Sequence, residues 1–70
     1  MDEIKEFVFD DVMFQLRTFH NINTSDDAII VLVNKHIDEE YNNFVKSEDL
    51  WEPEPYISRV IERIITKATN

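Results

Sequence analysis

Ala28-Ile29-Ile30-Val31-Leu32-Val33-Asn34-Lys35-His36-Ile37-Asp38-Glu39-Glu40-Tyr41-Asn42-Asn43-Phe44-Val45 is the stretch whose reading decides the fold. Its first six residues are apolar on every side and, taken alone, suit a buried strand. The longer segment favours a helix. Ile30, Val33, Ile37, Tyr41 and Phe44 fall three or four residues apart, a stripe that continues to Val45 and predicts one helix of about five turns. Val31 and Leu32 point away from that stripe and need a second surface to cover them.

Upstream, Thr24-Ser25-Asp26-Asp27 has the layout of a capping box, with Thr24 as N-cap and Asp27 as a shortened acidic partner three residues on. The predicted helix therefore runs over 25–45. His20-Asn21-Ile22-Asn23 is a polar break, and asparagine is the usual substitute for glycine where a turn needs a left-handed residue. Before it, Asp2, Glu3 and Glu6 place acids at a helix N-terminus. Ile4, Val8, Val12, Leu16 and Phe19 follow one another across one side, with Glu3, Glu6, Asp10 and Arg17 on the other. Two strands joined at Asp10-Asp11 are the competing reading, but that turn would lack glycine, so a helix is predicted over 3–19.

Downstream, Ser47-Glu48-Asp49-Leu50-Trp51 reads as one helical turn capped by Ser47 and stopped by Glu52-Pro53-Glu54-Pro55. Pro55 then serves as the first residue of a helix over 56–68. That helix is strongly two-sided, with Ile57, Val60, Ile61, Ile64, Ile65 and Ala68 on one face and Arg59, Arg63 and Lys67 on another. The expected fold is all-α, a single domain over 1–70: a small bundle of three main helices plus a short helical turn near Trp51.

Composition narrows the chemistry. The 70 residues include no glycine and no cysteine, which removes disulfide scaffolds, thiol catalysis, glycine-dependent phosphate loops and the calcium loop with its turn glycine. Five Phe, two Tyr and one Trp in so short a chain are too many for a disordered acidic tail. The net charge of −8 is unevenly placed, because 14 of the 15 acids lie in residues 1–54 while Arg59, Arg63 and Lys67 make 55–70 mildly basic. An acidic body repels nucleic-acid phosphate and anionic membrane surfaces and favours a basic partner. No run approaches a membrane span, and Met1-Asp2-Glu3 lacks the basic start of a secretory signal, so a cytoplasmic setting is expected. The sequon Asn23-Thr24-Ser25 then has no chemical consequence.

Several constellations carry possible chemistry. His36 with Glu39 and Glu40 has ligand-like spacing, but a single imidazole with two carboxylates reads as a solvated helix edge, and no metal or other cofactor is expected. The pairs Asp10-Asp11 and Asp26-Asp27 and the run Asp38-Glu39-Glu40 lack the enclosed cleft that general acid–base work needs, and no nucleophile motif is present. An enzyme, including a metal-dependent hydrolase built on His36, is not expected. The Arg59, Arg63, Lys67 stripe is expected to pair with the acidic body.

The functional expectation is a small non-catalytic protein-binding module, an adaptor or regulator that engages a basic protein. Asp10, Asp11, Asp38, Glu39, Glu48, Asp49, Trp51 and Tyr56 are its candidate partner-binding residues. Trp51 has a competing reading as a plug of the core. Val31 and Leu32, with Phe9 and Met13 of the first helix, are the candidate interface of a homodimer. The alternative is an inhibitor of anti-defence type that mimics nucleic acid and blocks a nucleic-acid-binding enzyme or complex.

Overall fold

The computed structural model describes residues 2–47 and 49–69, and the expected all-α bundle is its architecture. Helices α1 (Glu3–Phe19), α2 (Asp27–Phe44) and α3 (Pro53–Thr69) pack against one another pairwise. The strand readings of 6–16 and 28–33 do not apply, since both segments are helical throughout.

Each helix boundary has a local cause. The Asp2 carboxylate accepts from the Ile4 backbone N–H at 2.9 Å and caps α1. At the other end the Leu16 carbonyl accepts from the N–H groups of both His20 and Ile22, at 3.3 and 3.0 Å. Asn21 makes this reversal with φ of 53°, the left-handed role anticipated for an asparagine in a chain without glycine. The cap of α2 corrects the sequence reading: Asp26, not Thr24, is the N-cap, its side chain accepting from Ala28 N–H at 2.9 Å. Asn23 Oδ1 accepts from Ser25 N–H at 3.0 Å, which folds Thr24 and Ser25 into the preceding turn.

The segment around Trp51 is a second correction. No helical turn forms there; Val45–Ser47 (β1) and Leu50–Trp51 (β2) pair as a small antiparallel hairpin, Val45 opposite Trp51 and Ser47 opposite Leu50. Val45 has extended dihedrals while its N–H still donates to Tyr41, so α2 passes into β1 without an intervening loop. The prolines also act differently from expectation. Pro53 and Pro55 lie inside the first turn of α3, where backbone N–H groups have no intrahelical acceptor and a missing donor costs nothing.

The core is one cluster. Ile4, Val8, Val12 and Leu16 of α1 meet Val33 and Ile37 of α2, Val45 of the hairpin, and Tyr56, Ile57, Val60, Ile61 and Ile64 of α3. Phe19 departs from its predicted stripe: as the last helical residue it is exposed and packs edge-to-face on Phe14. Among the described residues, no helix is long and apolar enough to cross a membrane.

Candidate protein-binding surface

Helix α1 buries only the side that carries Ile4, Val8, Val12 and Leu16. Phe7 and Phe14, seven residues apart, project within about 20° of a common direction and about 10 Å apart along the axis. They remain 49% and 50% exposed. Asp10 and Asp11 fall between them, three and four residues after Phe7 and four and three before Phe14, so carboxylates and aromatic rings alternate along one stripe. Gln15 Nε2 donates to Asp11 Oδ1 at 3.2 Å and holds that carboxylate in place.

The hairpin extends this stripe sideways. Trp51 packs against the core, and its ring meets Phe7 edge-to-face with centroids 5.6 Å apart. Leu50, its neighbour on β2, is 65% exposed. Asp49, Leu50, Trp51 and Glu52 share a shallow depression with Phe44 and Lys46. Phe7, Phe14 and Leu50 thus leave apolar area in water, with Asp10 and Asp11 beside the rings and Asp49 and Glu52 beside Leu50.

Of the sequence candidates, Trp51 thus touches Phe7, Asp10 and Asp11 share the helical stripe of Phe7, and Asp49 lines the depression with Leu50. It places the other candidates elsewhere. Asp38 pairs with Lys5 at 3.0 Å, and that ammonium also lies 4.9 Å from the Tyr41 ring centroid. Glu39 is engaged by His36 and Arg63. Tyr56 is not a surface anchor: it is fully buried, stacked on Phe44, and its hydroxyl donates to the Ile37 carbonyl. Burial pushes its phenol well above the ordinary value, so it stays a donor. Glu48 lies outside the described residues.

Of the four dimer-interface candidates, Val31 is 67% exposed, whereas Leu32, Phe9 and Met13 are half-buried against the core. Phe7, Phe14 and Leu50 were not singled out in the sequence. The signal for the first two was present, as a seven-residue aromatic spacing off the buried stripe.

A second polar assembly lies between α2 and α3. The expected solvated edge at His36 and Glu40 is in fact buried, with His36 3% and Glu40 5% exposed. Glu40 Oε1 accepts from Arg63 at 2.8 Å and Arg59 at 3.3 Å, and Oε2 accepts from Asn43 at 2.9 Å. Those bonds hold its carboxyl below the ordinary range, Asn43 contributing most, against the opposing effect of burial. Arg59 and Arg63 of the basic stripe therefore pair with the acidic body as expected, whereas Lys67 makes no ion pair among the described residues. His36 Nδ1 lies 3.1 Å from Glu39 Oε1, and burial, then Arg63, depresses its basicity. Among the described residues, no three His, Cys, Asp or Glu side chains gather where they could hold a metal ion.

No family model matches the chain, and none of the curated proteins or solved structures compared with it is significantly similar. Function is therefore read from these residues.

Proposed function

We propose that this chain is a non-catalytic protein-binding module, an adaptor or regulator of cytoplasmic proteins, and that it receives a basic partner on the Phe7–Phe14 face of α1. The observation that carries this reading is the alternation of half-exposed rings with Asp10 and Asp11 on one stripe, widened by Leu50. Rings of this kind act as anchors when a partner dries them, while acidic neighbours steer a basic surface into register. A face that imitates a nucleic-acid backbone needs carboxylates in an unbroken series, so the interleaved phenylalanines favour the module over the mimic. Competition separates the two: a target that still takes up its DNA or RNA while bound is not being blocked by mimicry.

The decisive experiment isolates a partner from the source cells and titrates it against defined variants. Phe14→Ala and the double change Asp10→Asn with Asp11→Asn should each weaken binding about tenfold or more while the helical circular dichroism is retained. A partner indifferent to both would place its site elsewhere. Exposed Val31 also supports a homodimer, which light scattering tests; a mass of 8.4 kDa at micromolar concentration would remove that part of the reading.

A further inference from the structure

The spacing of Phe7, Asp10, Asp11 and Phe14 along α1 restricts the shape of anything that covers them. The two half-exposed rings are separated by about 10 Å, two helical turns. An extended peptide laid along α1 repeats its same-side residues about every 7 Å, so it meets one ring and misses the other. A second helix has the same rise as α1, repeats every seven residues and meets both. Asp10 and Asp11 lie one turn from either ring, and the order of ring, two carboxylates and ring is the same from either end. A covering helix therefore sets its middle turn over the two acids, whichever way it runs.

Charge at that middle turn selects the helix. A second copy of this chain, laid antiparallel with its Phe14 opposite Phe7, crowds Asp10 and Asp11 of both copies at the centre of the contact. Laid parallel and in register, it sets each acid beside its own counterpart. Among the described residues neither acid has an ion-pair partner, Asp11 being held by the neutral Gln15 amide at 3.2 Å. The hairpin adds further acid on one flank. Trp51 meets Phe7 at 5.6 Å, and the exposed Leu50 shares its depression with Asp49, Glu52 and one cation, Lys46. The net charge of −8 acts in the same sense at longer range. Complementarity thus excludes a second copy from this stripe and demands cations between two apolar anchors.

We propose, on the reading of this stripe as a partner site, that its occupant is a basic amphipathic helix with large apolar residues seven apart and lysine or arginine at the third and fourth positions between them. Its apolar residues dry the rings of Phe7 and Phe14, the one over Phe7 lying beside Trp51. Its cations pair with Asp10 and Asp11, where they are flanked by apolar contact on both sides and shielded from water more than on an open surface.

The test titrates the full chain with a synthetic helical peptide of about 18 residues, with leucine at every seventh position and lysine at the third and fourth positions after each leucine. Trp51 is the single tryptophan and touches Phe7, so its fluorescence reports docking, while the amide resonances of α1 locate it. Binding should saturate with a Kd of about 100 µM or tighter, shift the amides from Phe7 to Phe14, and weaken about tenfold in Phe14→Ala. A peptide with its lysines moved to the second and fifth positions, on the far side of the helix, should bind about tenfold or more weakly. So should one broken by a central proline. Asp10→Asn with Asp11→Asn, its helical circular dichroism retained, should lose the preference for the lysine peptide over its glutamine counterpart. Equal affinity for the relocated-lysine or proline peptide overturns the proposal, as do an unchanged preference in the double variant, shifts confined to other elements, or no binding at about 1 mM peptide. The site itself is judged by the partner isolated from cells: if Phe14→Ala weakens that partner while the lysine peptide is ignored, the site stands and its helical occupant falls.

Discussion

Glu40 shows how a single side chain is set by partners distant in the chain. Its carboxylate is nearly inaccessible, yet three donors from Asn43, Arg59 and Arg63 satisfy it, so burial is compensated rather than penalised. His36 is in the opposite position, with one nitrogen engaged and the other orphaned. The two groups give stability a stepped response to acid. Because the folded imidazole titrates below its ordinary 6.5, the unfolded chain binds the proton first, and stability falls as pH drops below that value until the folded imidazole protonates. Glu40 adds a second loss at lower pH, as its carboxylate, depressed below the ordinary 4.5, is protonated through its folded value. Urea midpoints followed from neutral pH downward should show both phases in the native chain, and only the lower one in His36→Gln. A single phase in both proteins would show that His36 does not couple to folding. Neither burial was readable from sequence, because Glu39 and Glu40 look like any acidic pair until α3 delivers its arginines across the seam.

The helices themselves were legible as elements, since each has a period sustained over four or more turns and an acidic start. What escaped was shorter than any period. The hairpin of Val45–Ser47 and Leu50–Trp51 offers five strand residues and only two pairs, too few for strand alternation to be distinguished from one helical turn. Its existence depends on Trp51 reaching Phe7 and Val45 reaching the core, both tertiary events. The prolines misled for a related reason: the rule against α geometry before proline is a tendency, and at a helix start the lost donors are not missed. Within α2 the choice between Thr24 and Asp26 as cap was a matter of two residues, and the Asx turn at Asn23 resolved it. Asp26→Ala should therefore cost about 1 kcal/mol of stability in chemical denaturation, and Thr24→Ala markedly less. Equal losses would return the cap to Thr24. The partner stripe was half legible, because Asp10 and Asp11 stand out by charge whereas Phe7 and Phe14 were indistinguishable from core residues without the packing of Val8 and Val12 beside them.

For the whole molecule, stability rests on a single apolar cluster to which all three helices contribute. Ile61 lies within it, so Ile61→Asp should abolish the cooperative melt by placing an unpaired carboxylate among buried side chains. A native-like melting curve would show that the α3 face is misassigned. That face also has a property its amphipathicity conceals. Were α3 to slide by four residues, about 6 Å, Ile61 would take the place of Ile57, Ile64 that of Val60, and Ile65 that of Ile61. Arg63 and Lys67 would likewise take the places of Arg59 and Arg63 before Glu40. The Glu40 ion pairs and most of the apolar contacts would survive the slip, although Ala68 would arrive in the place of the fully buried Ile64. Tyr56 would not, since Val60 would arrive where its hydroxyl meets Ile37 and its ring meets Phe44. The tyrosine is thus a detent, together with Ile64, on a largely repeating rail. Tyr56→Leu should keep its helical content yet show doubled or broadened α3 amide resonances, and one sharp set would locate the stop at some other residue.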